Sequence, residues 1–133
     1  MKASHITPKN PRPVAIIGAG GIVGDSHLPA YEKAGFKVQG IYDLEVQKAA
    51  SLAEKFQIPI VCEQLDELIE LAIRNQCVFD MALPASAILE VLPQLPDGSG
   101  VLIQKPMGDD LQQANDILSM CREKKLVAGI NFQ

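Results

Sequence analysis

The sequence is short of the residues that staple or ligate. Its three cysteines, Cys62, Cys77 and Cys121, form no CxxC pair, and with only two histidines, His5 and His27, no zinc site or other metal site can be drawn. The thiols read as structural or incidental ones in a reducing compartment. No apolar run approaches the roughly 20 residues that a membrane-spanning helix needs. The first thirteen residues are polar, carry Pro8, Pro11 and Pro13, and lack the apolar stretch of a signal peptide. The expectations are a disordered lead-in over residues 1–12 and a cytoplasmic protein. Basic charge is scarce too: 12 Lys and Arg stand against 16 Asp and Glu, a net charge of −4. That balance argues against a nucleic-acid or anionic-membrane partner. It does not argue against a dinucleotide, because main-chain N–H groups and a helix dipole can hold a pyrophosphate without basic side chains.

What is there is one domain's worth of chain: 133 residues, 47% hydrophobic and 21% charged, a soluble globular composition. Short β-branched or apolar runs predict strands over Val14–Ile17, Lys37–Tyr42, Ile58–Val61, Val78–Leu83, Val101–Ile103 and Leu126–Ile130. Between them, apolar spacing predicts helices over Asp25–Ala34, Glu45–Phe56, Leu65–Ile73, Ala85–Leu92 and Asp109–Cys121. Gly35 ends the first helix, Pro84 stops the fourth strand, and Pro93, Pro96, Asp97 and Gly98 mark a loop. Asp109 with Gln112 resembles a capping box. Apart from the strand–helix alternation there is no internal repeat and no low-complexity segment. Strands alternating with helices imply α/β architecture: a parallel sheet covered on both faces with right-handed crossovers. Six strands and five helices match a doubly wound, six-stranded Rossmann sheet in the order 3-2-1-4-5-6, over residues 13–133.

The chemistry sits in the loops after the strands. Gly18-Ala19-Gly20-Gly21-Ile22-Val23-Gly24 follows the first strand and opens the first helix, the context that makes a glycine motif a dinucleotide fingerprint. The first glycine permits a tight turn and the second lets the backbone approach a pyrophosphate; the third normally allows close helix packing. Here Val23 holds that third position and Gly24 follows it. Asp43 ends the second strand, 23 residues after Gly20, where an acid accepts hydrogen bonds from the adenosine ribose. Its carboxylate would repel a 2′-phosphate, and Leu44 supplies no compensating cation, so NAD is favoured over NADP. Asp43 also reads as a simple helix cap before Glu45. Strand order turns the loops after strands four and five toward the nicotinamide end. The first carries Leu83-Pro84-Ala85, either a packing surface for the ring or an ordinary turn. The second carries Gln104-Lys105-Pro106-Met107. Lys105 can there hydrogen-bond a substrate oxygen or shuttle a proton, or it is a plain surface lysine; position alone leaves both open.

Taken together, Val14–Gly24, His27-Leu28-Pro29-Ala30, Ile41-Tyr42-Asp43, Leu83-Pro84-Ala85-Ser86 and Val101–Gly108 resemble the Gfo/Idh/MocA oxidoreductases, from about Pro13 to the last residue. The resemblance implies an NAD(P)-dependent enzyme that transfers hydride between nicotinamide and a sugar, polyol or related hydroxy or carbonyl compound. It implies that Gly18, Gly20, Gly21, Ile22, Val23, Asp43, Leu83, Pro84, Gln104, Lys105 and Pro106 line the cofactor, with Lys105 catalytic. The family motif reads Glu-Lys-Pro after strand five; Gln104 replaces the glutamate and removes a charge. Family members continue into a mixed sheet that holds the substrate and often form dimers or tetramers. The chain is therefore expected to lack its substrate domain, to bind cofactor with little turnover, and to expose an apolar patch near strand six. His27 reads as structural, with no partner visible for acid–base work, and Asp25 as an acid favoured in a helix's first turn.

Two other readings share parts of this pattern. A non-catalytic dinucleotide sensor or regulatory module would use the glycine loop and Asp43 and give Lys105 no role. An adenosylmethionine-dependent methyltransferase would want an acid before the glycine loop, where Ile16-Ile17 stand, and a seventh strand.

Overall fold

The computed structural model describes residues 9–105 and 107–131. Along the chain run β1 (Val14–Ile17), a π-helical turn (Val23–His27), α1 (Leu28–Ala34), β2 (Val38–Tyr42), α2 (Val46–Phe56), β3 (Ile60–Cys62), α3 (Leu65–Asn75), β4 (Val78–Met81), α4 (Ala85–Val91), a 3₁₀ turn (Leu92–Gln94), β5 (Gly100–Gln104), α5 (Leu111–Glu123) and β6 (Val127–Asn131). The strands pair in the order β3-β2-β1-β4-β5-β6, every neighbour parallel. This is the expected doubly wound α/β sheet. All carboxyl ends share one rim, and the order reverses between β1 and β4. None of the helices among the described residues is long and apolar enough to cross a membrane.

Each strand's alternation divides its side chains between two cores. Ala15, Ile17, Phe79, Met81, Val101 and Ile103 pack with α3, α4 and α5 through Leu68, Ile88 and Ile117. Val14, Ile16 and Ile41 pack on the other face with Leu28 of α1 and Ala49 and Ala53 of α2. Each large aliphatic side chain buried this way contributes about 1.5–3 kcal/mol. Cys62, Cys77 and Cys121 are buried free thiols, each held above its ordinary pKa first by that burial. On the α1/α2 face the sheet continues beyond α1 to β5 and β6. A mostly apolar groove of about 520 Å³ runs there, lined in part by Val78, Leu102, Val127 and Gly129, and Val127 is 74% exposed. The expected apolar surface beside the sixth strand takes this form.

Several boundaries differ from those the sequence pattern predicts. β3 begins at Ile60 because the Ile58 N–H closes the end of α2 by donating to Ala53 O. β4 ends at Met81, although Ala82 N–H still donates to Ile17 O. The cap of α5 is Asp110, not Asp109: its carboxylate accepts from Gln113 N–H (2.8 Å), and Gln113 Oε1 accepts from Asp109 N–H (2.6 Å). The box is therefore built one residue later than Asp109 and Gln112 would place it. Gln57 and Gln76 end α2 and α3 in the left-handed conformation that glycine usually supplies. The lead-in expected over residues 1–12 falls mainly on residues 1–8, which lie outside the described residues, as do Pro106, Phe132 and Gln133.

The first helix departs most from its pattern. Helical backbone starts at Gly21, and Leu28 N–H donates back five residues to Val23 O. Pro29 accounts for the widening. In an uninterrupted α-helix its ring would press on the carbonyl four residues earlier, that of Asp25, and it has no N–H to give. A π-turn just before it relieves that clash. The same turn buries Val23 and His27 against the sheet.

Candidate functional site

A parallel sheet whose strands all end at one rim collects the loops after β1, β2, β4 and β5 there. A cleft of about 740 Å³ opens at that rim. Of the predicted residues, Gly18, Gly20, Asp43, Leu83 and Pro84 line it together. Gly18 sits at φ 111°, pressed against Ala82 across the switch point, whereas a Cβ on Gly20 would meet nothing within 4 Å. The loop is therefore rigid at its first glycine and open at its second, as a cradle for a pyrophosphate requires. Gly21 and Ile22 are exposed at the start of the helix. Val23 turns its side chain into the core, and its N–H already donates to Gly20 O (3.1 Å). Gly24 takes over the packing role: a Cβ there would lie 3.0 Å from Leu52 of α2.

Asp43 takes the capping role the sequence offered and adds a second contact. One carboxylate oxygen accepts from Glu45 N–H (2.8 Å), the turn ahead of α2; the other crosses to Ala19 N–H in the glycine loop (2.7 Å). The side chain is thus fixed at the cleft's edge and braces the loop, and each oxygen retains a lone pair for a ribose hydroxyl. Leu44 beside it is 93% exposed. Lys48 also borders the cleft and lies 3.5 Å from Glu45.

Gln104 ends β5 and Lys105 follows it, exposed, on the rim shared with Asp43. Neither borders the 740 Å³ cleft directly. Gln104 Oε1 is a buried oxygen without a well-formed hydrogen bond.

Sequence reasoning missed one cluster altogether. Asp80, 1% exposed in β4, accepts from Tyr31 OH (2.6 Å) and pairs through the same oxygen with His27 Nδ1 (2.8 Å). His27 and Tyr31 are four apart on the first helix, so both reach one point on the sheet. The readable signal was a carboxylate inside an otherwise apolar strand, because a buried charge demands a partner. The Asp80 hydrogen bond holds His27 above its ordinary pKa against the opposing pull of burial, and the Asp80 charge and Gln104 add to the effect. Burial, followed by Asp80, pushes the Tyr31 phenol upward.

This pairing has a consequence for stability. Unfolded, His27 titrates near 6.5, so its contribution is whole below that pH and is lost as pH rises through the raised folded value. Urea unfolding should show stability falling from pH 6 to pH 8 by at most about 1.4 kcal/mol per pH unit. A His27→Gln variant should lose that slope; an unchanged slope would assign it to another group.

Parallel sheets of this order bind dinucleotides where the order reverses, and this is the class to which the domain conforms. Its family follows from the sequence: residues 12–132 match the Gfo/Idh/MocA oxidoreductases, described as an oxidoreductase family with an NAD-binding Rossmann fold, and the chain belongs to that family. YceM of Salmonella typhimurium is 31% identical over 120 residues, covering 90% of this chain and 38% of YceM. KijD10, a 3-ketoreductase from Actinomadura kijaniata solved with NADP and TDP-benzene, is 29% identical at a TM-score of 0.74, covering 92% of this chain and 38% of that one. The WlbA dehydrogenase from Chromobacterium violaceum, solved with NADH and UDP-GlcNAcA, shares the fold at a TM-score of 0.73 with 16% identity, over 96% of this chain and 37% of its own. The chain thus spans well under half the length of these relatives.

Proposed function

We propose that this domain binds NAD in the cleft at the β1/β4 switch point and serves an enzyme that moves hydride between nicotinamide and a hydroxyl-bearing carbon of a sugar, polyol or sugar nucleotide. The observation that carries the reading is the joint lining of one cleft by Gly18, Gly20, Asp43, Leu83 and Pro84. The residues fit the cofactor: Gly20 leaves open space where a Cβ would stand, and Asp43 is fixed at the cleft's edge, where it would accept from a ribose hydroxyl. Main-chain amides around Gly20 and Gly21 would hold the pyrophosphate, helped by the dipole of helical residues 21–34. Leu83 and Pro84 would flank the nicotinamide half. When bound, the cofactor supplies hydride exchange at its nicotinamide ring. Lys105 would hydrogen-bond the substrate oxygen and exchange its proton as hydride moves. Pro106, which would stiffen that loop, lies outside the described residues. The substrate class draws on the ligands of the solved relatives, UDP-GlcNAcA with the WlbA dehydrogenase and TDP-benzene with the 3-ketoreductase KijD10.

NAD rather than NADP follows from Asp43, since a 2′-phosphate would face its carboxylate. Lys48, which borders the cleft, lies beside Glu45. Calorimetric titration tests both points. The chain should bind NAD more tightly than NADP, and binding of neither at millimolar concentration would overturn the reading. Asp43→Asn keeps an acceptor for Ala19 N–H and removes the charge. It should weaken NAD about tenfold, the loss of one charge-assisted hydrogen bond, and raise NADP affinity relative to NAD.

A further inference from the structure

We propose that Tyr31 and the buried pair Asp80 and His27 form a positioning relay that acts through Gln104 on the nicotinamide end of the cleft. The inference deepens the function proposed above and rests on it. The fold by itself gives no reason for the relay. In register across the sheet, Asp80 lies between Ile16 of β1 and Leu102 of β5, so an aliphatic residue would continue that layer. A buried ion pair is commonly no more stabilising than the apolar side chains that would replace it. What the pair supplies is direction. Tyr31 OH and His27 both hold Asp80 Oδ2, which fixes the imidazole with its Nδ1 proton toward the carboxylate. A protonated imidazole has a second N–H to give. Gln104 follows Leu102, the residue in register with Asp80, by two positions and so shares Asp80's face of the sheet; its Oε1 is buried without a well-formed bond, and its side chain adds to the raised His27 pKa. An acceptor in need of a donor therefore stands beside a donor held in place. Closing that bond fixes the side-chain amide of Gln104, the last residue of β5, and with it the strand end from which Lys105 leaves.

The chain of contacts joins three elements: the first helix, β4 and β5. Its far end is on the nicotinamide side, whereas the glycine loop and Asp43 serve the ADP-ribose half. Asp80→Asn retains the shape and an acceptor but removes the carboxylate that raises the His27 pKa. A neutral His27 that still donates from Nδ1 turns an acceptor, not a donor, toward Gln104 Oε1.

The test compares NAD with ADP-ribose by calorimetry on the 133-residue chain. Asp80→Asn should weaken NAD about tenfold and leave ADP-ribose within about twofold. Gln104→Leu, which leaves the ion pair intact, should show the same selectivity, and the two substitutions together should do no more than either alone. Equal loss of both ligands, or effects that multiply, would overturn the relay. Should Asp80→Asn fail to fold, the wild-type chain decides by nuclear magnetic resonance. The Gln104 side-chain amide signals should move with the His27 titration, and a Gln104 amide indifferent to it overturns the inference. A wild-type chain that binds neither ligand overturns the dinucleotide reading and this inference with it. Wild-type binding combined with an unselective loss overturns the relay alone.

Discussion

Gly18→Ala should cost the chain a large part of its stability, while Gly20→Ala, two residues on, should leave the fold intact and remove cofactor binding. At Gly18 the backbone holds φ 111°, and an added Cβ would overlap the Ala82 carbonyl oxygen. Neither side can yield cheaply. Gly18 N–H donates to Tyr42 O (2.8 Å), and Ala82 N–H donates to Ile17 O (2.9 Å), so a shift would pull on the ladders joining β1 to β2 and β4. Left-handed strain and overpacking add up to roughly 3–5 kcal/mol, against a total stability of about 5–15 kcal/mol for a domain of this size. Gly20 is the contrast: its Cβ would enter open space at the lip of the cleft, where a pyrophosphate would lie. Urea unfolding and NAD titration on both variants separate the two effects. A Gly18→Ala chain as stable as Gly20→Ala would remove the steric argument.

The fold was legible because each strand is a short apolar run bracketed by glycine, proline or a polar turn, and each helix repeats its apolar positions at helical spacing. Val14–Ile17 is recovered to the residue. The errors have local causes. Ile58 resembles a strand residue by composition, yet its N–H belongs to the end of α2. Gln57 and Gln76 adopt left-handed backbone without being glycine or asparagine, so neither helix end carries the usual mark. The π-turn could not be read from periodicity: with the helix expected from Asp25, nothing marked Pro29 as lying deep in a helix that begins at Gly21.

The site was legible where it depends on main chain and less so where it depends on side chains across the sheet. Glycines after a first strand and an acid after a second sit at one rim in any parallel sheet of this order, so Gly18, Gly20 and Asp43 converge on one cleft. The contact from Asp43 to Ala19 spans 24 residues and depends on strand register. Asp80 was harder still. Its partners lie 53 and 49 residues earlier, and His27 alone gave no sign of the carboxylate below it. His27 and Tyr31 share one helix face, but only sheet order brings β4 under that face.

The buried pair yields the second large effect: removing His27 alone should destabilise the chain more than removing His27 and Asp80 together. His27→Leu leaves the Asp80 carboxylate 1% exposed with only the Tyr31 hydroxyl to offset its charge. Breaking one partner of such a pair costs about 3–5 kcal/mol, whereas replacing both with well-packed apolar groups is often neutral. Here the layer is prepared for the exchange, since Ile16 and Leu102 flank Asp80 in register. The doubly substituted His27→Leu, Asp80→Leu chain should therefore return to within about 1–2 kcal/mol of wild type. Urea unfolding of the two single variants and the double variant closes the cycle. Additive losses would mean that His27 and Asp80 stabilise independently and that the ion pair is incidental. Recovery of stability in the double variant, without recovery of selective NAD affinity, would separate what the pair does for the cleft from what it does for the fold.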